Sequence, residues 1–403
     1  MINVSRIYAG HSVTGDTLRY GEKYIGNVKE AHHHFPDGQK PKTAAERRPV
    51  VVWNVSKRCN LKCIHCYTDS DEKRTHGELT FDEACKMIDD LAEFKIPALL
   101  LSGGEPLLRE DIFELAEYAV SKGIKPVLST NGTLITTEVA ERLKKIGFTY
   151  VGISLDGIGP TNDHFRGVLG AFDRAMRGFK ACVEAEQRVG LRLTLTRHTY
   201  KDLDAIFDFL LENKINRACF YHLVYSGRGK SEDDLNHGET REAMDIICRR
   251  TKEAIDSGVD LDILTVDNHA DAPYIYMKVL RENPERAEEI RRLLEWNGGG
   301  ANSTGIGIGN IDWNGNVHPN QFWQDKTFGN VKERKFGDIW MDTSDDLMKG
   351  LKNRLPLLKG RCGKCKFLRM CGGALRVRAF RTTGDPWAPD PACYLSDEEI
   401  GLE

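Results

Sequence analysis

From residue 50 to about residue 230, short apolar runs and amphipathic segments take turns along the chain. Runs dense in Val, Ile, Leu and aromatic residues at 50–55, 97–101, 125–129, 149–154, 190–196 and 217–223 predict strands. Between them apolar residues recur at helical spacing, as in Thr80-Phe-Asp-Glu-Ala-Cys-Lys-Met-Ile-Asp-Asp-Leu and Asp111-Ile-Phe-Glu-Leu-Ala-Glu-Tyr-Ala-Val. Thr80 followed by Glu83 predicts a capping box at the start of the first of these helices. Strand–helix alternation implies a parallel sheet with right-handed crossovers. Six units are too few for a closed eight-stranded barrel. The expected fold is therefore α/β, an open, partial (β/α)6 barrel with its chemistry at the C-terminal ends of the strands.

The pattern fails on either side of this core. Residues 1–48 are polar and irregular and read as an N-terminal extension. His32-His33-His34 within it fits a polar loop better than a metal site, because no carboxylate or cysteine pattern surrounds it. Residues 231–305 interrupt the alternation and read as a connecting, substrate-lining region. They hold one more strand, 260–267, a polar loop with His269 and Asp271, and a helix rich in Glu and Arg. The run Asn297-Gly-Gly-Gly300 through Gly309 lacks the Lys-Ser/Thr ending of a phosphate loop, so a close-approach wall or a hinge is expected. Residues 306–403 form a C-terminal unit. It opens with Ile311-Asp-Trp-Asn-Gly315-Asn-Val-His318, read as a hairpin with an Asn-Gly turn.

The 403 residues suffice for one large domain and a smaller one, and a net charge of −3 excludes a nucleic-acid footprint. No apolar run reaches the length of a membrane span, and the first residues lack a signal peptide's apolar core. No membrane partner is expected, and a reducing cytoplasm fits the eleven cysteines better than a disulfide framework does. Cys85, Cys182, Cys219 and Cys248 stand alone and read as small buried apolar residues. The other seven fall in two groups.

Cys59, Cys63 and Cys66 form C-x3-C-x2-C just after the first strand. Three clustered thiolates suit a 4Fe–4S cluster that leaves one iron open to a small molecule. A structural zinc site completed by His65 or a distant residue, and unligated cysteines, are the alternatives. One βα unit later comes Leu99-Leu-Leu-Ser-Gly103-Gly104-Glu105-Pro106. Its glycines permit close backbone approach and its carboxylate can accept from an ammonium group. Alone, this could be a turn before a helix. Further polar groups stand at successive strand ends: Ser129-Thr130-Asn131-Gly132, Ser154-Leu-Asp156-Gly157, Arg166 and Thr194-Leu-Thr196. Each alone reads as turn chemistry.

Taken together, the cysteine triad and the Gly-Gly-Glu motif resemble the radical S-adenosylmethionine (SAM) superfamily, whose fold is a partial TIM-like barrel. The resemblance implies that Cys59, Cys63 and Cys66 carry the radical-generating cluster. SAM would be held by His65, Tyr67, Gly103, Gly104 and Glu105, with Thr130, Asn131, Ser154, Asp156, Arg166 and Thr196 completing the ring. It implies reductive cleavage of SAM to a 5′-deoxyadenosyl radical, with ferredoxin or flavodoxin as electron donor.

The second group, Cys362-x2-Cys365-x5-Cys371 with Cys393, supplies four thiolates, which zinc or a second 4Fe–4S cluster could take. It resembles a SPASM/twitch-type extension, with two departures. Asn320 and Leu375 stand where the full pattern has cysteines, so one auxiliary cluster is expected, making two clusters in all. The N-terminal Met1-Ile-Asn-Val-Ser, the stretch Thr265-Val-Asp-Asn-His-Ala-Asp271 and His318-Pro-Asn-Gln-Phe-Trp323 are similar to the tetrapyrrole-modifying branch. Deacetylases acting on 12,18-didecarboxysiroheme match best. That resemblance implies an iron-tetrapyrrole substrate, loss of two acetate side chains to give iron-coproporphyrin III, and His269, Asp271 or His318 near the substrate. Haem d1 biosynthesis, haem b synthase chemistry and peptide maturation are the enzymatic alternatives. A non-catalytic electron carrier is disfavoured by Gly103-Gly104-Glu105.

Overall fold

The computed structural model describes residues 1–12, 48–73, 76–296 and 299–402. His32–His34 and most of the N-terminal extension lie outside the described residues, as do Asn297 and Gly298 of the glycine-rich run.

Ten strands form one sheet: β1 (Ile2–Asn3), β2 (Val50–Asn54), β3 (Leu99–Ser102), β4 (Pro126–Thr130), β5 (Tyr150–Leu155), β6 (Val189–Leu195), β7 (Arg217–His222), β8 (Asp262–Val266), β9 (Ile308–Ile311) and β10 (Val317–His318). Their order is β1-β8-β7-β6-β5-β4-β3-β2-β9-β10. The six expected units, β2 to β7, are parallel and in sequence order, with helices crossing between them. One more parallel strand extends each edge, β8 beside β7 and β9 beside β2. Antiparallel β1 and β10 finish the two edges and do not pair with each other, so the barrel stays open. The Asn314–Gly315 hairpin connects β9 to β10, with Gly315 at φ +91°.

Local rules explain the helices. Thr80 Oγ1 accepts from Glu83 N at 3.3 Å, and Glu83 returns a bond to Thr80 N at 2.8 Å, which closes the predicted capping box of helix Phe81–Glu93. That helix buries Ala84, Met87, Ile88 and Leu91 against the sheet. The barrel's inside differs from a filled apolar core. Arg192, Arg217, Tyr150 and Tyr221 plug it, with Arg217 paired to Asp262 and its guanidinium 4.7 Å from the Tyr150 ring centre. Two strand glycines make room for the plug: a Cβ on Gly152 would stand 2.2 Å from Arg192 Nε, and one on Gly190 would stand 2.7 Å from Tyr150 Oη. Above it the barrel is open. The lone thiols Cys182, Cys219 and Cys248 are buried in the core, and Cys85 is half-buried.

Candidate active site

The loop after β2 carries Cys59, Cys63 and Cys66 to the mouth of the barrel, where all three line a cavity of about 220 Å³. Cys59 N donates to Asp71 O at 2.7 Å, and Lys62 N and Ile64 N donate to carbonyls of residues 166 and 165, which fixes the loop at both ends. All three cysteines are free thiols. Burial pushes the Cys59 thiol up to about 12 and raises Cys63 as well. Uncharged thiols are thus favoured until a cationic group is present to hold thiolates.

Gly103 and Gly104 serve this loop directly. A Cβ on Gly103 would lie 2.4 Å from Ser56 O, and one on Gly104 would lie 2.1 Å from Arg58 O. Their missing side chains let β3 press against the cysteine loop, and both residues still line the cavity. Glu105 departs from expectation. Its carboxylate is fully buried and is taken by three donors: Thr130 Oγ1 at 2.7 Å, Asn131 N at 2.8 Å and Leu107 N at 3.2 Å. It does not line the cavity, so it shapes the Thr130–Asn131 strand end rather than presenting itself to a ligand. Thr196 is likewise misplaced by the sequence reading. Its hydroxyl closes a turn with Thr199 Oγ1 (3.1 Å) and His198 N (3.3 Å), whereas Thr194 faces the cavity.

The other expected residues converge. His65, Tyr67, Thr130, Asn131, Ser154, Asp156 and Arg166 line the same cavity. Tyr67 Oη donates to Asn54 Oδ1 (3.0 Å) and bonds Ser102 Oγ (2.8 Å), so its ring is held at the wall. Arg166 Nη2 pairs with Asp156 Oδ2 at 2.7 Å, and Nη1 lies 3.6 Å from Cys63 Sγ. Burial alone would raise the Asp156 carboxyl, but Arg166 and His65 hold it well below the usual carboxylate range. Both Nη atoms of Arg166 are thus already used, while its buried Nε has no hydrogen-bond partner; His65 Nε2 lies 3.5 Å from Asp156 Oδ2, and its Nδ1 is unpartnered. Buried donors without partners beside three thiols are what a polar ligand would satisfy, and the three-thiol donor set suits an iron–sulfur cluster.

Sequence reasoning missed Arg228. Its backbone N donates to Cys66 O (2.9 Å), Nε to Cys63 O (2.8 Å), and Nη1 to Asp69 Oδ1 (2.7 Å) and Ser70 O (2.9 Å). A Cβ on Gly227 would lie 2.2 Å from Cys66 O. The signal was available: Gly227-Arg228-Gly229 follows β7, one more strand end.

A second cavity, of about 260 Å³, adjoins the first and shares Asp267, Gln321 and Phe322 with it. Asp267 ends β8 with φ +69°, a conformation rare outside glycine, and its Oδ2 has no partner. His269 lines this second cavity. Burial and nearby Arg354 and Arg378 keep its imidazole neutral, and Nδ1 is unpartnered. Asp271 is elsewhere: it is fully buried, bound to His222 Nε2 (2.9 Å) and Tyr394 Oη (2.9 Å), and lines neither cavity. His318 is also removed from both. Its Nδ1 bonds Lys326 O (2.9 Å) and its Nε2 bonds Asp312 Oδ2 (3.2 Å), which leaves no nitrogen for a ligand.

Cys362, Cys365, Cys371 and Cys393 surround one small void with Phe367, Leu368 and Leu395. Gly300 lets the glycine-rich run touch this group: its Cβ would stand 1.9 Å from Cys371 O. The expected wall beside a flat ligand is thus partly a wall against the second cysteine group. Asn320 bonds Thr304 Oγ1 at 2.7 Å on the second cavity, and Leu375 packs in an apolar cluster with Trp323 and Val377. Neither is among the residues around the void. Among the described residues no helix is long and apolar enough to cross a membrane.

Residues 53–210 match the family model described as the radical SAM superfamily, and residues 307–366 match SPASM, an iron–sulfur cluster-binding domain. The whole chain is 52% identical to Fe-coproporphyrin III synthase of Methanosarcina barkeri over 99% of that protein. It is 44% identical to pre-heme d1 synthase of Dinoroseobacter shibae over 88% of each chain. Among solved structures, Streptococcus suis SuiB bound to S-adenosylmethionine superposes with a TM-score of 0.66 at 20% identity, over 87% of this chain and 78% of the other. Native anSMEcpe with bound AdoMet does so at 0.68 and 19%, over 88% and 96%. At such identities these two show a shared fold.

Proposed function

The chain belongs to the radical SAM superfamily, in its tetrapyrrole-modifying branch, and we propose that it removes two acetate side chains from 12,18-didecarboxysiroheme to give iron-coproporphyrin III. It is a radical SAM enzyme, and its cofactors are SAM and iron–sulfur clusters. The observation that carries the substrate assignment is the 52% identity, over the whole chain and 99% of the relative, to Fe-coproporphyrin III synthase. A second reading, pre-heme d1 synthesis, is favoured by the 44% relative and acts on the same class of macrocycle.

In this reading Cys59, Cys63 and Cys66 hold a 4Fe–4S cluster, and Cys362, Cys365, Cys371 and Cys393 hold a second. The first cluster, with SAM bound, supplies a 5′-deoxyadenosyl radical for hydrogen abstraction. The protein's part is to bind and orient. Gly103 and Gly104 set the depth of the cysteine loop. His65 and Arg166 Nε offer the polar contacts left open, with Asn131, Ser154 and Thr194 around them. The substrate lies across Asp267, Gln321 and Phe322, in the second cavity and facing the first. Neutral His269, with its unpartnered Nδ1, would supply the nitrogen for its iron, since ligation needs an unprotonated nitrogen. A ferredoxin or flavodoxin of the cytoplasm delivers the electron.

Anaerobic incubation with SAM, reductant and 12,18-didecarboxysiroheme tests the assignment by product mass. Loss of two acetate groups is expected. Loss of carbon dioxide from propionates, or an unchanged macrocycle with SAM consumed, would refute it. Adding iron-coproporphyrin III to His269→Ala should leave the Soret band where it stands for the free compound.

A further inference from the structure

We propose that Arg376 and Arg354 are the counter-cations of an anionic group held by Cys362, Cys365, Cys371 and Cys393, and that they raise its reduction potential. The inference rests on the reading of these four cysteines as cluster ligands.

Both guanidinium groups are buried as completely as any side chain in the molecule. Arg376 begins helix Arg376–Thr383, the end of a helix that disfavours a cation. Its Nη1 donates to Pro386 O (3.0 Å) and Ala388 O (2.7 Å), while Nε and Nη2 have no partner. Nη2 lies 3.1 Å from where a Cβ of Gly373 would be, and Gly373 is part of the wall around the four thiols, as are the ion-paired Arg361 and Asp390. Arg354 donates to Thr304 O and to Ser303 Oγ (3.4 Å), Ser303 Oγ donates to Gly300 O (2.6 Å), and Gly300 abuts Cys371 O; Arg354 Nε is unpartnered. Among the described residues neither arginine has a carboxylate in an ion pair.

The carboxylate next to hand is already committed. Asp390 accepts from Arg378 Nε (2.8 Å) and Nη2 (3.1 Å), and from the backbone N of Leu375 (2.8 Å) and Ala392 (3.0 Å). Arg378 is therefore matched, and its neighbours are not. A buried cation without an anion is strongly disfavoured, and burial, with repulsion from Arg376, holds Arg354 down to about 9. Thiolates around a metal cluster would supply the missing anion, because an anionic group would then stand beside the two cations. A four-thiolate iron–sulfur cluster gains one more negative charge on reduction, so the same cations favour its reduced form and lift the potential.

The test uses full-length protein with Cys59→Ala, Cys63→Ala and Cys66→Ala, so that only the second group can hold iron. Redox titration followed by electron paramagnetic resonance compares this parent with added Arg376→Met, Arg376→Lys and Arg354→Met. Arg376→Met should lower the potential by at least 59 mV, a tenfold change in a one-electron equilibrium. Arg354→Met should move it the same way by less, and Arg376→Lys should keep more than half of the parent's advantage. Melting gives a second readout. Removing an unmatched cation should raise the midpoint of the metal-free protein and lower that of the loaded protein. An unchanged potential at full iron content overturns the inference, as does a metal-free Arg376→Met protein that melts lower than its parent. If Arg376→Met retains no iron, the Arg354→Met potential and the metal-free melting comparison decide. A parent that holds no iron, or holds zinc, instead overturns the reading of the four cysteines as cluster ligands.

Discussion

The two cysteine groups are built in opposite ways. Cys59, Cys63 and Cys66 come from one short loop and face a roomy cavity of about 220 Å³. Beside them Arg166 is paired with Asp156 and Arg228 with Asp69, while Arg192 and Asp267 on the same cavity stand in no ion pair among the described residues. Cys362, Cys365, Cys371 and Cys393 are drawn from short helices and a loop around a void of about 20 Å³, walled mostly by apolar side chains with the ion-paired Arg361 and Asp390 among them. The cations beside them, Arg354 and Arg376, are unmatched. The contrast teaches what each place is for. In the proposed reading, a site that admits and releases a small charged molecule keeps room for it. A site that never releases its occupant can be closed around it and can leave the balancing charge to that occupant.

The largest effect should come from emptying the open site alone. Cys59→Ala is expected to abolish 5′-deoxyadenosine formation by at least about a thousandfold, about 4 kcal/mol of barrier. Total iron should fall by about four atoms per chain while the second group keeps its own. If both groups emptied together, the comparison would fail, because the two sites would not be independent. Next in size is Asp156→Asn, which takes from Arg166 its paired carboxylate. Arg166 then stands buried against a neutral amide, and unfolding measurements should show a loss of about 3–5 kcal/mol, together with weaker SAM binding. An unchanged midpoint would show that matching is not what steadies the first site.

Arg228→Gln should be milder. It removes charged hydrogen bonds to Cys63 O, Asp69 and Ser70 O, each of the kind that contributes about 1.5–3 kcal/mol. A roughly tenfold slower SAM cleavage is expected, with iron content retained and the signal of the first cluster broadened. The smallest effect sharpens the picture of the second region. Lys352 precedes Arg354 by two residues, with Nζ donating to Gly305 O (2.9 Å) and 4.3 Å from the Trp340 ring centre. Burial holds its ammonium down to about 7. Its unfolded value is about 10.4, so over roughly pH 7 to 10 the unfolded chain binds a proton that the folded chain does not. Stability should therefore rise with pH across that window, and Lys352→Met should flatten the rise. A wild-type slope equal to the variant's would place the ammonium in solvent.

Much of the site was legible from spacing. Three cysteines within one loop must lie close together whatever the fold, so C-x3-C-x2-C declared itself. Strand–helix alternation has one common solution, a parallel sheet, and that solution puts Asn131, Ser154 and Asp156 at one end of the barrel. Glu105, Thr196, Asp271 and His318 were harder, because a polar residue at a strand end can face the cavity or its own loop. Each of these four found donors or acceptors within its own surroundings, which composition cannot reveal. Arg228 was missed for the converse reason. Its place in Gly227-Arg228-Gly229 after β7 was a signal, but its role comes from the distant cysteine loop that passes beside it.

By itself the sequence determined the alternating core, the two cysteine groups and the absence of cysteine at Asn320 and Leu375. These depend on neighbours along the chain, where spacing and side-chain type are sufficient. Only the tertiary structure decided that β8 and β9 extend the sheet, that two cavities meet at Asp267, Gln321 and Phe322, and which buried charges have partners. Those facts depend on which segments close over long stretches of chain. A charge's energy is set by what is packed against it, and no reading of residues in order contains that.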